Sequence, residues 1–439
     1  MSTLGIDIGT SSISVALLGE AVSGSRSWTY PNDMSLEGSP WERIQDPDRI
    51  VAKVLAIAGD LAKLEDVRAI GLSGQMHGML YVNREGRAVS PLYTWEDGRG
   101  DLPGPDGTSW AGQLSALTGY KLSTGYGLVT HYYNLRNGLV PKEAVKICTI
   151  MDYAAMVLTG NTSPVMDPSN AASFGCFDIE AGSFDIGAVG KAGIDPSILP
   201  EVSPVSVLGL FRGIPVVTAI GDNQASFIGS VRSKERSVHI TVGTSSQISV
   251  FTDEYSQVPG LDTRPLPGGG FILVVASLCG GSSLALLNRF LSGTVRFLTG
   301  SEVNPEEVYS KMCEVASRPS SESDLVVRTT FRGTREDPSG LGRIDNISPS
   351  NWDAEDLVLG FHRGVADELY SFYENMPPSA RECKDLIVGS GNALRRNKLL
   401  RDVIESRFGL PLTLSSASEE AATGAGITAL AVSDLKQHL

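Results

Sequence analysis

Short apolar runs that stop at glycine recur along the whole chain, and they set its architecture. Gly5 and Gly9, Gly71 and Gly74, Gly221, Gly243, Gly280 and Gly281, and Gly389 and Gly391 all close such runs. Helical patterns stand between them. Over Asp48 to Leu64 the apolar residues Ile50, Val51, Val54, Leu55, Ala58 and Leu61 fall on one helical face. Val67 to Leu72 then reads as a buried strand, Ile214 to Ile220 as another, and Glu419 to Val432 as a helix rich in alanine and glycine. Strands that end in glycine turns and lead into helices predict an α/β fold. The small residues of the last helix predict close packing on a neighbour. Ser317 to Ser323 and Gly333 to Asn346 read as loops.

One segment repeats. Ile6-Asp7-Ile8-Gly9-Thr10-Ser11-Ser12 returns, 234 residues later, as Ile240-Thr241-Val242-Gly243-Thr244-Ser245-Ser246. In both copies a second strand follows, Ile13 to Leu18 and Gln247 to Phe251. The repeat predicts two similar domains, each opening with a strand hairpin, with a boundary between Gly221 and Thr241. At roughly 100–200 residues per domain, a chain of 439 residues accommodates two.

Charge narrows the partners. Lys and Arg number 36 against 50 Asp and Glu, a net charge of −14. So acidic a chain, without a basic run, predicts neither a nucleic-acid binder nor a partner for anionic membranes. Phosphate, if held, must meet backbone N–H groups, a cation or a few arginines. Five scattered cysteines without metal-ligand spacing fit free thiols in a reducing compartment. The start lacks a basic, then apolar leader, and Phe271 to Cys279 is too short to span a bilayer. A soluble cytoplasmic protein is expected.

The glycine turns are where chemistry is expected. A Gly-Thr-Ser-Ser turn offers consecutive N–H groups and hydroxyls, a cradle for phosphate without lysine. Either copy alone also reads as a structural hairpin; the pair favours a polyphosphate clamp. Neither of the familiar glycine-rich nucleotide signatures is present. Asp7, just before the first turn, suits Mg²⁺ held through water. Asp222 follows a strand, where α/β sheets bind ligands, and could take a proton from an attacking hydroxyl. It could equally cap a helix beginning at Gln224, and local sequence favours the cap. Gln75, Met76 and His77 follow one strand, and Trp95, Asp97 and Arg99 follow another apolar stretch. Together they offer a stacking face and hydroxyl partners for a polyol, although His77 alone reads as a core histidine and Asp97 with Arg99 as a loop ion pair. Gly389 and Gly391 would let a flat base approach the backbone.

In this order the motifs resemble those of the FGGY carbohydrate kinases, over essentially the whole chain. Asp7-Ile8-Gly9-Thr10 resembles their first phosphate motif, Ser73-Gly74-Gln75-Met76-His77-Gly78 the sugar-contact stretch of xylulose kinases, and Trp95-Glu96-Asp97-Gly98-Arg99 the Trp-x-Asp-x-Arg segment. Gly221-Asp222-Asn223-Gln224 resembles the catalytic-base motif, Gly243-Thr244-Ser245 with Gly281 the second phosphate motif, and Gly389-Ser390-Gly391-Asn392 the adenosine motif. Two departures stand out. His131, Tyr132 and Tyr133 replace a Pro-x-x-Lys-x-x-Trp signature, and Gly333-Thr334-Arg335 lacks the glutamate of a Gly-Glu-Arg loop. The resemblance implies two actin-like (ribonuclease H-like) ATPase domains, 1–229 and 230–439, flanking a catalytic cleft. It implies transfer of the γ-phosphoryl of ATP, with Mg²⁺, to a primary hydroxyl of a ketose. Asp222 would be the base, Gln75, Met76, His77, Trp95, Asp97, Arg99 and Asn223 the sugar site, and Asp7 the metal's carboxylate. Thr10, Ser11, Gly243, Thr244, Gly281, Gly389, Gly391 and Asn392 would hold ATP. A homodimer is compatible with it.

Overall fold

The computed structural model describes residues 2–19, 25–315, 324–334, 337 and 339–437. Ser317 to Ser323 and Arg335 lie outside the described residues. The chain forms two compact units. One comprises Met1–Ser230, Arg264–Gly270 and Ser416–Leu439, the other Val231–Thr263 and Phe271–Ser415. The second domain expected at 230–439 is therefore not one stretch: its last segment and a short hairpin tip belong to the first unit.

The first unit is built on a mixed sheet of β1 (Ser2–Ile8), β2 (Ser12–Leu18), β3 (Arg26–Pro31), β4 (Val67–Gly74), β5 (Val207–Phe211) and β6 (Ile214–Val217), in the order β5-β6-β4-β1-β2-β3. β1, β2 and β3 pair as an antiparallel meander, whereas β4 returns parallel to β1 through a crossover that contains helix α1 (Pro47–Leu64). The α1 pattern is as expected, and Asp46 caps it by accepting from the Arg49 N–H. The strand expected over Ile214 to Ile220 is interrupted, and its last part, β7 (Ile220–Gly221), pairs separately with β4. Alternation along β1 sends Leu4, Ile6 and Ile8 into one core, with Ile13, Val15, Ile50, Val54, Ile70 and Leu72.

The opposite face of β1 carries Gly5, and there the helix Glu420–Gln437 lies almost backbone to backbone. A Cβ on Gly5 would stand 1.8 Å from the Ala422 carbonyl oxygen, and one on Gly71 of β4 2.0 Å from that of Ala425. Helix α2 (Asp222–Ser230) meets the same helix: Gly229 would clash with the Glu420 carbonyl at 2.0 Å and Gly424 with that of Ala225 at 1.8 Å. The small residues of the last helix thus pack tightly within the N-terminal unit.

In the second unit β8 (Ser237–Val242), β9 (Ser246–Thr252) and β10 (Phe271–Ser277) form an antiparallel meander. β11 (Leu386–Ser390) then lies parallel to β8, and β12 (Leu412–Leu414) parallel to β11. The arrangement of β3-β2-β1-β4 is repeated by β10-β9-β8-β11, so the sequence repeat is a repeat of topology. The loop expected over Gly333 to Asn346 contains a short strand, Arg343–Asp345. No helix among the described residues is long and apolar enough to cross a membrane.

The close helix contact predicts a sharp contrast between glycines. Gly5→Ala or Gly424→Ala should lower unfolding free energy by about 3 kcal/mol or more, at the upper end of overpacking costs, because backbone must move. Gly190→Ala, in a helix with open space around it, should cost nothing or stabilise by up to about 1 kcal/mol. Urea unfolding of the three variants measures this.

Candidate active site

Two carboxylates arise at neighbouring strand ends of the first unit. Asp7 sits near the end of β1, opposite Ser73 of β4, whose hydroxyl donates to Asp7 Oδ1 at 2.8 Å. Asp222 follows β7, which pairs Gly221 with Gly74 of β4. Helix α2 begins at Asp222 itself and not at Gln224, so the residue lies in the first turn and is not the expected cap of a later helix. Gly221 allows this turn to close: a Cβ there would stand 2.7 Å from both Met76 Sδ and Gln224 Oε1.

Burial raises both carboxyls. It pushes Asp7 up to about 6, resisted by the Ser73 hydrogen bond and reinforced by the charge of Glu419. It pushes Asp222 up to about 7; the charge of Asp7 adds to the rise, while the Arg264 guanidinium and the Asn223 N–H oppose it. Arg264 gives no motif signal in the sequence. It belongs to the hairpin tip that joins this unit, and the next residue is tied to α2, where Gln224 Nε2 donates to the Pro265 carbonyl at 3.3 Å and to that of Ser169 at 3.1 Å. No group of three or more His, Cys, Asp or Glu side chains able to hold a metal occurs among the described residues. Two mutually disfavouring carboxylates with so few neighbours fit a hard divalent cation that keeps most of its water.

The first Gly-Thr-Ser-Ser turn is fastened from several sides. The Gly9 N–H donates to the Ser12 carbonyl at 2.9 Å, and Asn32 Nδ2 to the Gly9 carbonyl at 2.8 Å. Gln45 Nε2 donates to the Thr10 carbonyl at 2.8 Å, and Trp95 Nε1 to Thr10 Oγ1 at 3.0 Å. Ser11 stays exposed at the tip.

The expected sugar residues divide into two groups. Gln75 and Met76 are buried beside the turns, and Trp95 is 48 % exposed. His77 adopts φ 71°, in the left-handed region that few non-glycine residues occupy. It is held there by Ser173, whose Oγ accepts from the His77 N–H at 3.1 Å and whose carbonyl lies 2.9 Å from Nδ1. Its ring stacks on Tyr126, with centroids 4.6 Å apart. His77 is thus held fixed at a half-buried position. Asp97 and Arg99 are instead fully buried. Arg99 Nε donates to Asp97 Oδ1 at 2.6 Å and Nη1 to Asn134 Oδ1 at 2.6 Å, and the guanidinium lies 4.1 Å from the Tyr93 ring centre and 5.4 Å from that of Tyr133. Asp97 Oδ2 also accepts from the Arg43 N–H at 3.1 Å. This pair is committed to its own surroundings and is not brought out beside Trp95. The His131, Tyr132 and Tyr133 departure supplies part of that aromatic packing: His131 is buried, bonded to the Tyr81 hydroxyl at 2.9 Å and pushed down to about 4 by burial.

The second unit gathers its own turns. The Gly281 N–H donates to the Gly243 carbonyl at 2.9 Å and the Ser282 N–H to that of Thr244 at 3.0 Å. A Cβ on Gly281 would stand 2.4 Å from the Gly243 carbonyl oxygen, and one on Gly391 (φ 87°) 2.5 Å from that of Val242. Gly243, Thr244, Gly281 and Gly391 therefore meet at the ends of β8 and β11. Thr244 and Asn392 are exposed there, while Gly389 is buried beneath. Sequence reasoning gave no role to Gln45, Ser73, Tyr126, Ser173 or Arg264, which help set this site. Ser73 lies in the sugar-contact stretch, and its pairing with Asp7 follows from the register of β1 and β4.

Comparison with known proteins places the chain in a family. Residues 2–229 match the N-terminal domain of the FGGY family of carbohydrate kinases. The chain is 30 % identical to the sedoheptulokinase of Mus musculus, over 98 % of this chain and 97 % of that one. It is 29 % identical to the sedoheptulokinase of Homo sapiens over the same shares. A solved xylulose kinase from Rhodospirillum rubrum superimposes with a TM-score of 0.82 at 20 % identity, covering 98 % of this chain and 89 % of that one, and so shares the two-domain actin-like fold. The chain belongs to the FGGY family of carbohydrate kinases.

Proposed function

We propose that this kinase phosphorylates a ketose at a primary hydroxyl, using ATP, and that its acceptor is sedoheptulose, giving sedoheptulose 7-phosphate. The acceptor rests on the near full-length similarity to two sedoheptulokinases. The chemistry rests above all on Asp222, a carboxylate in the first turn of a helix at a strand end, with its pKa raised to about 7. A base of that strength is matched to neutral pH. Asp222 accepts the proton of the ketose hydroxyl as its oxygen attacks the γ-phosphorus, and the bond from that phosphorus to the oxygen of the leaving ADP breaks. Arg264 favours the ionised form of this base. Asp7, oriented by Ser73, would hold Mg²⁺ through water. When bound, that ion neutralises charge on the phosphates.

Gln75, Met76, His77, Trp95 and Asn223 supply the ketose site: an indole face and a fixed imidazole beside amide groups suit a polyol. Asp97 and Arg99 act beneath it, as the buried support of the loop that carries Trp95. In the first unit Thr10 and Ser11, and in the second Gly243, Thr244 and Gly281, offer turns suited to phosphate. Gly391 and Asn392, with Gly389 buried beneath them, form a tight glycine turn suited to the adenine end.

Three outcomes check this proposal. Asp222→Asn should lower kcat by about 10²–10⁴ while ATP affinity survives. Without nucleotide or divalent cation, the same variant should melt above the parent at neutral and alkaline pH. The folded pKa of Asp222 stands above the unfolded value, so the parent loses stability as pH rises from near 4 through about 7. The Asn variant escapes that loss, and the gap in Tm should close below about pH 4. An unchanged kcat would remove Asp222 from the chemistry.

With MgATP and a panel of three- to seven-carbon polyols and ketoses, sedoheptulose should give the highest kcat/KM. A tenfold preference for xylulose, about 1.4 kcal/mol in transition-state binding, would reassign the acceptor.

Finally, Asp97→Ala leaves the buried Arg99 guanidinium only the Glu42 carboxylate, at 3.4 Å, as counter-charge and should cost about 3 kcal/mol of stability, whereas His77→Ala should mainly raise the KM for ketose. Denaturant unfolding and steady-state kinetics separate the two.

A further inference from the structure

We propose that Gln45 and Trp95 are positioning residues that couple the ketose site to the first phosphate turn, so that bound sugar raises the affinity for ATP. This rests on the function proposed above, and it concerns residues of the first unit alone.

Three residues close a ring of hydrogen bonds. Thr10 Oγ1 donates to Gln75 Oε1 at 3.4 Å, Gln75 Nε2 to Gln45 Oε1 at 3.0 Å, and Gln45 Nε2 to the Thr10 carbonyl at 2.8 Å. Trp95 Nε1 feeds the ring by donating to Thr10 Oγ1 at 3.0 Å. Each donor meets an acceptor in one consistent direction, as the single proton of Thr10 requires. Gln45 and Gln75 are each only 2 % exposed, so a break would leave a buried amide group without its partner.

The two ends of this network differ. Gln75 and the half-exposed indole of Trp95 lie on the ketose side. The Thr10 backbone and hydroxyl lie in the turn that would hold phosphate. An indole with 48 % of its surface open keeps freedom that a ketose packed on its face removes. Fixing the indole fixes its N–H on Thr10, and part of the ordering cost of the turn is then already met when ATP arrives. Linkage makes the effect reciprocal: ATP must raise the affinity for ketose by the same factor.

The test is calorimetric titration with a non-hydrolysable ATP analogue and Mg²⁺, with and without saturating sedoheptulose. For the parent, sugar should tighten nucleotide binding about fivefold or more, within the usual range of such couplings. Trp95→Phe keeps an aromatic face and loses the N–H, and its ratio should fall below about twofold. Gln45→Met should lose the ratio as well, while Thr10→Ser, which retains the hydroxyl, should keep it. A parent ratio of one, or a Trp95→Phe ratio equal to the parent's, overturns the coupling. If the parent phosphorylates a ketose in either case, the function proposed above survives. A parent that phosphorylates none of the ketoses overturns that function and the coupling with it.

Discussion

The contact on which the first unit depends is the approach of the helix Glu420–Gln437 to β1, β4 and α2. Two sheet glycines, Gly5 and Gly71, and two helix-pair glycines, Gly229 and Gly424, let main chains come together with no side chain between them. At that distance, packing is decided by backbone shape and has almost no room to adjust. Asp7 lies two residues beyond Gly5, and Asp222 opens the helix that ends near Gly229. The last segment of the chain therefore sets the placement of both carboxylates, although it is more than 180 residues away from either.

The duplicated sheets show how one backbone serves two chemistries. Asp7 on β1 stands opposite Ser73, and at the matching position of the second copy Thr241 stands opposite Ser390. In the first copy the serine orients a carboxylate. In the second, Thr241 Oγ1 and Ser390 Oγ lie 2.7 Å apart, and His239 Nε2 lies 3.0 Å from Ser390, with burial pushing the imidazole down to about 4. The neutral copy ties together the ends of the two strands that lead into Gly243 and Gly391. The charged copy carries the groups suited to proton transfer and a cation. Since α/β sheets bind ligands at the carboxyl ends of their strands, both networks stand where they bear on a ligand.

Charge is handled in two opposite ways within the first unit. Asp97 and Arg99 are buried as a hydrogen-bonded pair walled by Tyr93 and Tyr133, and there the charges stabilise each other only because both are present. Asp7 and Asp222 are like charges close enough to raise a pKa, a destabilising arrangement that a folded chain retains where a reaction uses it. The first is rigid support and the second is the pair to which the proposed reaction is assigned, and residue type alone does not tell them apart.

From the sequence alone came the fold class, several strands and helices, the family resemblance, the repeat and the turns where chemistry is expected. These are local properties: an apolar run ending in Gly-Thr-Ser-Ser means much the same wherever it occurs. Apolar runs that stop at glycine placed β1 and β4, and the repeat anticipated two domains that each open with a strand hairpin. Which unit owns the last helix could not be read locally, because its small residues are compatible with any close neighbour. The same holds for Asp97 and Arg99, whose motif is intact while their burial depends, beyond the nearby Tyr93, on Asn134 and Tyr133 from a distant segment. Gln45 and Arg264 carry no pattern at all. Their importance arises from hydrogen bonds and charges that act over a few ångströms in space and over scores of residues in the chain, and only the tertiary structure brings those distances together.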